Sequence, residues 1–209
     1  MIAISRINTC WRIVGAILGL SAMWGVYAVL RPVDEVVLTI GESYEHVRQQ
    51  SRSTLPAVTP YNIFCPYVRR PATLRFSDPQ YGFTTPAAKF LAICADMNGK
   101  VEQLTLSPQV ETLPLDETMA ILVDLQNQLR RGGWRPTLVV DNPLVVDTPA
   151  TRAEIRNFGI RQTFWLASDK YQAFLSVRRF VHENRPNDER YLITLQLSGP
   201  PFLVDLSGG

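Results

Sequence analysis

The chain has 209 residues, 46% of them hydrophobic, with 21 basic against 19 acidic side chains. That is enough apolar material for one core and excludes a chain disordered throughout. Setting aside Arg6 and Arg12 leaves 19 basic residues against 19 acids, and Arg69-Arg70, Arg130-Arg131 and Arg178-Arg179 are scattered doublets, so no nucleic-acid partner is expected.

From Ile13 to Leu30 the sequence carries no charge. With Trp11 and Arg12 the segment 11–30 is long enough to cross a hydrocarbon core of about 30 Å at ~1.5 Å per helical residue. Residues 1–10 form a short tail, and residues 31–209 a domain of ordinary size. Every acid lies beyond Leu30, while Arg6 and Arg12 precede the apolar run. The bias of basic residues places the tail in the cytoplasm and the domain on the far side of the membrane, tethered to it. A cleaved signal peptide is the competing reading, because Val26-Tyr27-Ala28 offers small residues at −3 and −1. An apolar run longer than the usual signal core argues for the uncleaved anchor. In that oxidising space Cys65 and Cys94 are expected to form a disulfide, with a buried free Cys94 thiol as the alternative.

Downstream, Val36–Ile40 reads as a β-branched strand, and the Thr39/Glu42 spacing predicts a helix over 41–51. Four prolines break residues 54–72 into a long loop. Thr73–Phe76 alternates as a strand and Asp78–Gly82 has the composition of a turn. Asn98-Gly99 predicts a tight hairpin between strands at 89–95 and 101–106, with both residues at positive φ. Apolar residues at three-to-four spacing predict a helix over 115–131, interrupted by Gln126 and ended by Gly132-Gly133. Thr148-Pro149 opens a third helix running to Phe158. Strands follow at 162–167, 171–181 and 191–197, with turns at 168–170 and 184–189. The fold class is therefore α+β: antiparallel strands with three helices. The pattern also admits two repeated halves, 33–140 and 141–209, each a helix followed by about three strands.

No serine elbow, zinc-binding helix or phosphate loop is present, and His46 and His182 lie far apart in sequence. Asp116-Glu117 and Asp188-Glu189 are adjacent carboxylates, which point different ways and make poor acid–base pairs. No catalytic residue, metal site or cofactor is expected, though an enzyme of unrecognised type stays open. The loop holding Tyr61, Phe64, Tyr67, Arg69 and Arg70 concentrates residue types that anchor protein interfaces. Prolines and the expected disulfide would brace it. Its alternative role is a lid whose aromatics fill the core.

The stretches Leu74–Phe83, Arg131-Gly132-Gly133-Trp134 and Asp188–Leu195 resemble a family of proteobacterial envelope proteins associated with type VI secretion effectors. The resemblance implies an immunity protein that blocks a secreted toxin, such as a lipase, by direct binding. A second echo, Gly41-Glu42-Ser43 with Val47, is similar to small lipoproteins of outer-membrane assembly. It keeps an envelope-assembly or secretion-apparatus subunit as the alternative, with Gly15 and Gly19 offering the anchor helix a close-approach face.

Overall fold

The computed structural model describes residues 32–57, 65–157 and 159–200. The anchor segment 11–30 lies outside these residues, and among the described residues no helix is long and apolar enough to cross a membrane. From Asp34 onward the chain is one compact unit of α+β architecture.

Among the described residues nine strands form two sheets. Strand β1 (Asp34–Leu38) runs parallel to β2 (Ala72–Phe76), which pairs antiparallel with the short β3 (Phe83–Thr84). The larger sheet is antiparallel throughout, in the order β4-β5-β9-β8-β7-β6. Its strands are β4 (Phe90–Ala95), β5 (Val101–Ser107), β6 (Arg135–Thr137), β7 (Arg161–Ala167), β8 (Tyr171–His182) and β9 (Arg185–Ser198). Three helices accompany them: α1 (Tyr44–Gln50), α2 (Leu115–Arg131) and α3 (Pro149–Arg156). Strands from both sides of residue 141 thus share one sheet.

The α2 helix has the predicted limits because its chemistry is consistent along its length. Asp116 and Glu117 occupy the first turn and Arg130 and Arg131 the last, and Gly133 leaves the helix at φ +83°. Leu115, Met119, Leu122, Leu125 and Leu129 are buried against the large sheet's inner face, where Leu104, Leu106, Ile193, Leu195 and Leu197 are also buried. The interrupting Gln126 is only 3% exposed, and its amide binds Val145 at both ends: Nε2 donates to the carbonyl (2.8 Å) and Oε1 accepts from the N–H (3.0 Å). A polar residue on the apolar face therefore supplies a strand-like partner to an irregular segment that has none.

Several boundaries differ from the sequence expectation. Helix α1 begins at Tyr44, after an N-cap Ser43 that makes no side-chain cap bond, instead of through a Thr39/Glu42 box. Residues 41–44 are instead held in a turn against the β4–β5 hairpin, through Gly41 N to Val101 O (2.7 Å) and Tyr44 N to Gly99 O (2.8 Å). That hairpin has Gly99 alone at positive φ; Asn98 is not. Asp96 Oδ1 accepts from the N–H groups of Asn98 and Lys100, giving a three-residue loop with glycine at the left-handed position. Helix α3 starts as expected, Thr148 Oγ1 accepting from Thr151 N, and ends at Arg156. The expected 184–189 turn is corrected: the chain reverses at Glu183-Asn184 and β9 starts at Arg185. The register passes from Phe180↔Arg190 to His182↔Arg185, so residues 186–189 face Val181 alone. Pro186 and Asn187 sit in a bulge, where a proline interrupts no regular ladder.

The stretches Leu74–Phe83 and Arg131–Trp134 meet in the core. Phe76, Tyr81 and Phe83 surround Trp134 with ring centroids 5.9–6.3 Å away, and Trp134 Nε1 donates to Tyr81 O (2.9 Å). Tyr171 closes the cluster against Phe76 at 5.2 Å. Its hydroxyl donates to Asp78 Oδ2 (3.0 Å), while Asp78 Oδ1 accepts from Gln80 and Tyr81 N–H. Asp78 thereby ties the β2–β3 turn to β8. Burial pushes its carboxyl up, but these hydrogen bonds outweigh burial and hold it below the usual carboxylate range. Burial and Asp78 together push the Tyr171 hydroxyl up to about 12.

Candidate interaction groove

The large sheet has one buried face and one open face, as its alternation requires. Along β9, Tyr191, Ile193, Leu195 and Leu197 are buried, while Leu192, Thr194 and Gln196 are half-exposed. Directly opposed residues share a face, so Phe90 lies beside Ser107 and Leu192 beside Arg178, with Phe180 beside Arg190. No helix is packed over this outer face among the described residues. A groove of ≈ 510 Å³ crosses its edge, lined by Tyr67, Arg69, Phe90, Val110, Phe180 and Leu192 among others. A second hollow of ≈ 290 Å³ continues it past Phe180 to His182, Arg185 and Arg190.

Two devices fix its walls. The first is a strap, residues 65–68, running antiparallel along the outer edge of β4. Cys65 Sγ is bonded to Cys94 Sγ at 2.03 Å, Ile93 N donates to Pro66 O (2.9 Å) and Val68 N to Leu91 O (3.0 Å). Alternation then decides the side chains: Val68 is 2% exposed, whereas Tyr67 is 62% exposed and stands over the groove. Thr54 Oγ1 accepts from the N–H groups of both Arg69 and Arg70, at 2.7 and 3.0 Å.

The second device is Gln109, 5% exposed, in the connection from β5 to α2. Its Nε2 donates to Glu111 O (2.8 Å) and Tyr191 O (3.0 Å), and its Oε1 accepts from Ile193 N (2.9 Å). This segment thus completes the β9 edge where β5 has ended. It leaves Val110 48% exposed on the groove. Below, Tyr191 donates to Glu189 (2.7 Å); burial, then that carboxylate, push its hydroxyl up to about 12.

Of the residues expected at a partner surface, Tyr67 and Arg69 line the groove. Arg70 is turned to a 3.0 Å ion pair with the buried Asp34. Tyr61 and Phe64 lie outside the described residues. At Tyr67 the lid role does not hold, since its ring is in solvent. Sequence reasoning missed Phe90, Val110, Phe180, Leu192 and Gln109. Phe90 and Leu192 were legible only as alternate positions in strands whose faces became assignable once the sheet order was known.

Three of the four adjacent carboxylates are engaged in ion pairs. Asp116 meets Arg152, Asp188 meets Arg190, and Glu189 meets Arg156. His182 meets Phe180 edge to face with ring centroids 5.0 Å apart, and His46 is exposed on α1. Among the described residues no group of three or more His, Cys, Asp or Glu side chains is placed to hold a metal ion. No family model, curated protein or solved structure matches the chain.

Proposed function

We propose that this chain is a membrane-tethered periplasmic binding protein, anchored in the inner membrane through residues 11–30 with its N-terminus in the cytoplasm. Its task in this reading is that of an immunity protein, blocking a secreted effector by direct binding. The observation that carries the binding reading is the uncovered sheet face with a braced groove at its edge. Exposed aromatic side chains on walls fixed by a disulfide and by a buried glutamine can meet a partner with little ordering cost. The family resemblance supplies the effector as partner. Anchoring would concentrate the inhibitor where envelope-attacking toxins act.

The test uses the full chain. It should co-purify with an effector and protect cells in which that effector is sent to the periplasm. Contact is assigned to Tyr61, Phe64, Tyr67, Arg69 and Arg70. Tyr67→Ala and Arg69→Ala should each cost ~2 kcal/mol of binding, about a thirtyfold loss, with the unfolding temperature unchanged. Capture of envelope-machine subunits instead of an effector would replace inhibition by assembly. Unaltered binding by both variants would move the site off this groove.

A further inference from the structure

The two ends of the groove differ in chemistry. At one end Tyr67, Phe90 and Val110 are 62%, 47% and 48% exposed around half-buried Leu192. At the other, Arg185 and Arg190 converge beside His182, while Lys89 lines both hollows and Arg69 the first. Glu111 is the one acid among the described lining residues, and Asp188 lies between Arg190 Nε (2.9 Å) and Arg185 Nη1 (3.6 Å); against the four cations Arg69, Lys89, Arg185 and Arg190 these two acids leave an excess of two positive charges. Downstream of Arg12 the chain balances 19 basic residues against 19 acids, so this excess is a matter of placement. Guanidinium groups meet carboxylates in bidentate pairs, and a ring of cations beside an apolar seat selects a ligand carrying both features.

We infer that the groove takes an extended acidic segment of a partner protein. One apolar side chain of that segment seats between Phe90, Val110 and Leu192, and its carboxylates meet Lys89, Arg185 and Arg190. This deepens the proposed function and rests on its reading of the groove as the partner-binding site. An open groove suits a peptide laid along a surface better than an acyl chain, which needs walls that bury most of it.

The probe is a fluorescent peptide alternating aspartate and leucine around one phenylalanine, compared with the same peptide carrying lysine for aspartate. Anisotropy is read with the full chain in phosphatidylcholine nanodiscs. The acidic peptide should bind, more weakly as salt rises, and the basic one should not. The combined Lys89→Glu, Arg185→Glu, Arg190→Glu variant should lose about tenfold or more in affinity, and the glutamine triple variant an intermediate amount. All three positions are at the surface, so the unfolding temperature reports whether the variants are intact. Equal binding of both peptides, no binding of the acidic one, or an unaltered charge-reversal variant would overturn the inference. So would an anionic lipid that stays with the purified chain and is lost from that variant. The peptide assay contains no effector. Peptide binding without cell protection strikes the immunity reading alone; protection without peptide binding strikes the acidic-segment inference alone.

Discussion

Replacing Gln109 by leucine keeps most of the side-chain volume and deletes three hydrogen bonds. The consequences at the three partners differ. The Glu111 carbonyl belongs to an exposed residue and can turn to water; Tyr191 O keeps its bond from Leu113 N (3.2 Å). Ile193 N–H has no such recourse, because Ile193 is fully buried and β5 no longer runs beside it. An orphaned buried donor costs about 1–3 kcal/mol, and two further bonds worth ~0.5–1.5 kcal/mol each bring the expected loss to about 3 kcal/mol. For a domain of this size that lowers the unfolding temperature by about 6–12 °C. Urea unfolding followed by tryptophan fluorescence measures the loss, and amide exchange at Ile193 should accelerate in step. A variant within about 0.5 kcal/mol of the parent, with Ile193 exchange unchanged, would refute the idea that one side chain closes the β9 edge.

Gln126→Ala should destabilise by about 2–3 kcal/mol through the same logic at Val145, and limited proteolysis should show new cutting within residues 138–147. Asp78 is held below its ordinary pKa of 3.8, so its contribution is complete above that value and is lost as pH falls through the lower folded-state value. Asp78→Ala should therefore flatten the decline in unfolding temperature below about pH 4 while lowering it at neutral pH. Replacing Cys65 and Cys94 together by serine, with a sequence separation of 29, should cost about 3.5 kcal/mol on the loop-entropy model, measured by urea unfolding against the parent.

Local chemistry made much of the fold legible. The α2 helix was readable because periodicity, charged ends and a glycine stop agree, and the Thr148-Pro149 start because cap and proline act within one turn. Features set by distant partners were hidden. Nothing near Thr39 reveals that Gly41 to Tyr44 will be captured by the β4–β5 hairpin, which delays α1. Nothing near Pro186 shows that the register will slip and absorb it into a bulge. The groove shares that opacity. Tyr67 and Arg69 stood out by residue type, whereas Phe90, Phe180 and Leu192 become neighbours only when β9 enters between β5 and β8. Gln109 and Gln126 looked like polar interruptions; their role depends on unpaired backbone far away in the chain.

The sheet order β4-β5-β9-β8-β7-β6 puts the last strand third from one edge. The hairpin β4–β5 and the strands β6 to β8 have no hydrogen-bonded connection within this sheet until β9 arrives to bridge them. Closing that bridge joins Gln103 to Ser198 and Leu106 to Leu195, contacts some ninety residues apart in sequence. Such pairings must bear the loop-closure entropy before they stabilise anything, so assembly is slow and nearly all-or-none. A chain cut short before Arg185 would leave the β4–β5 hairpin and strands β6 to β8 unbridged, with unpaired strand edges prone to pair with copies of itself. The terminal fourteen-residue strand is thus the keystone of the sheet as well as the floor of its groove.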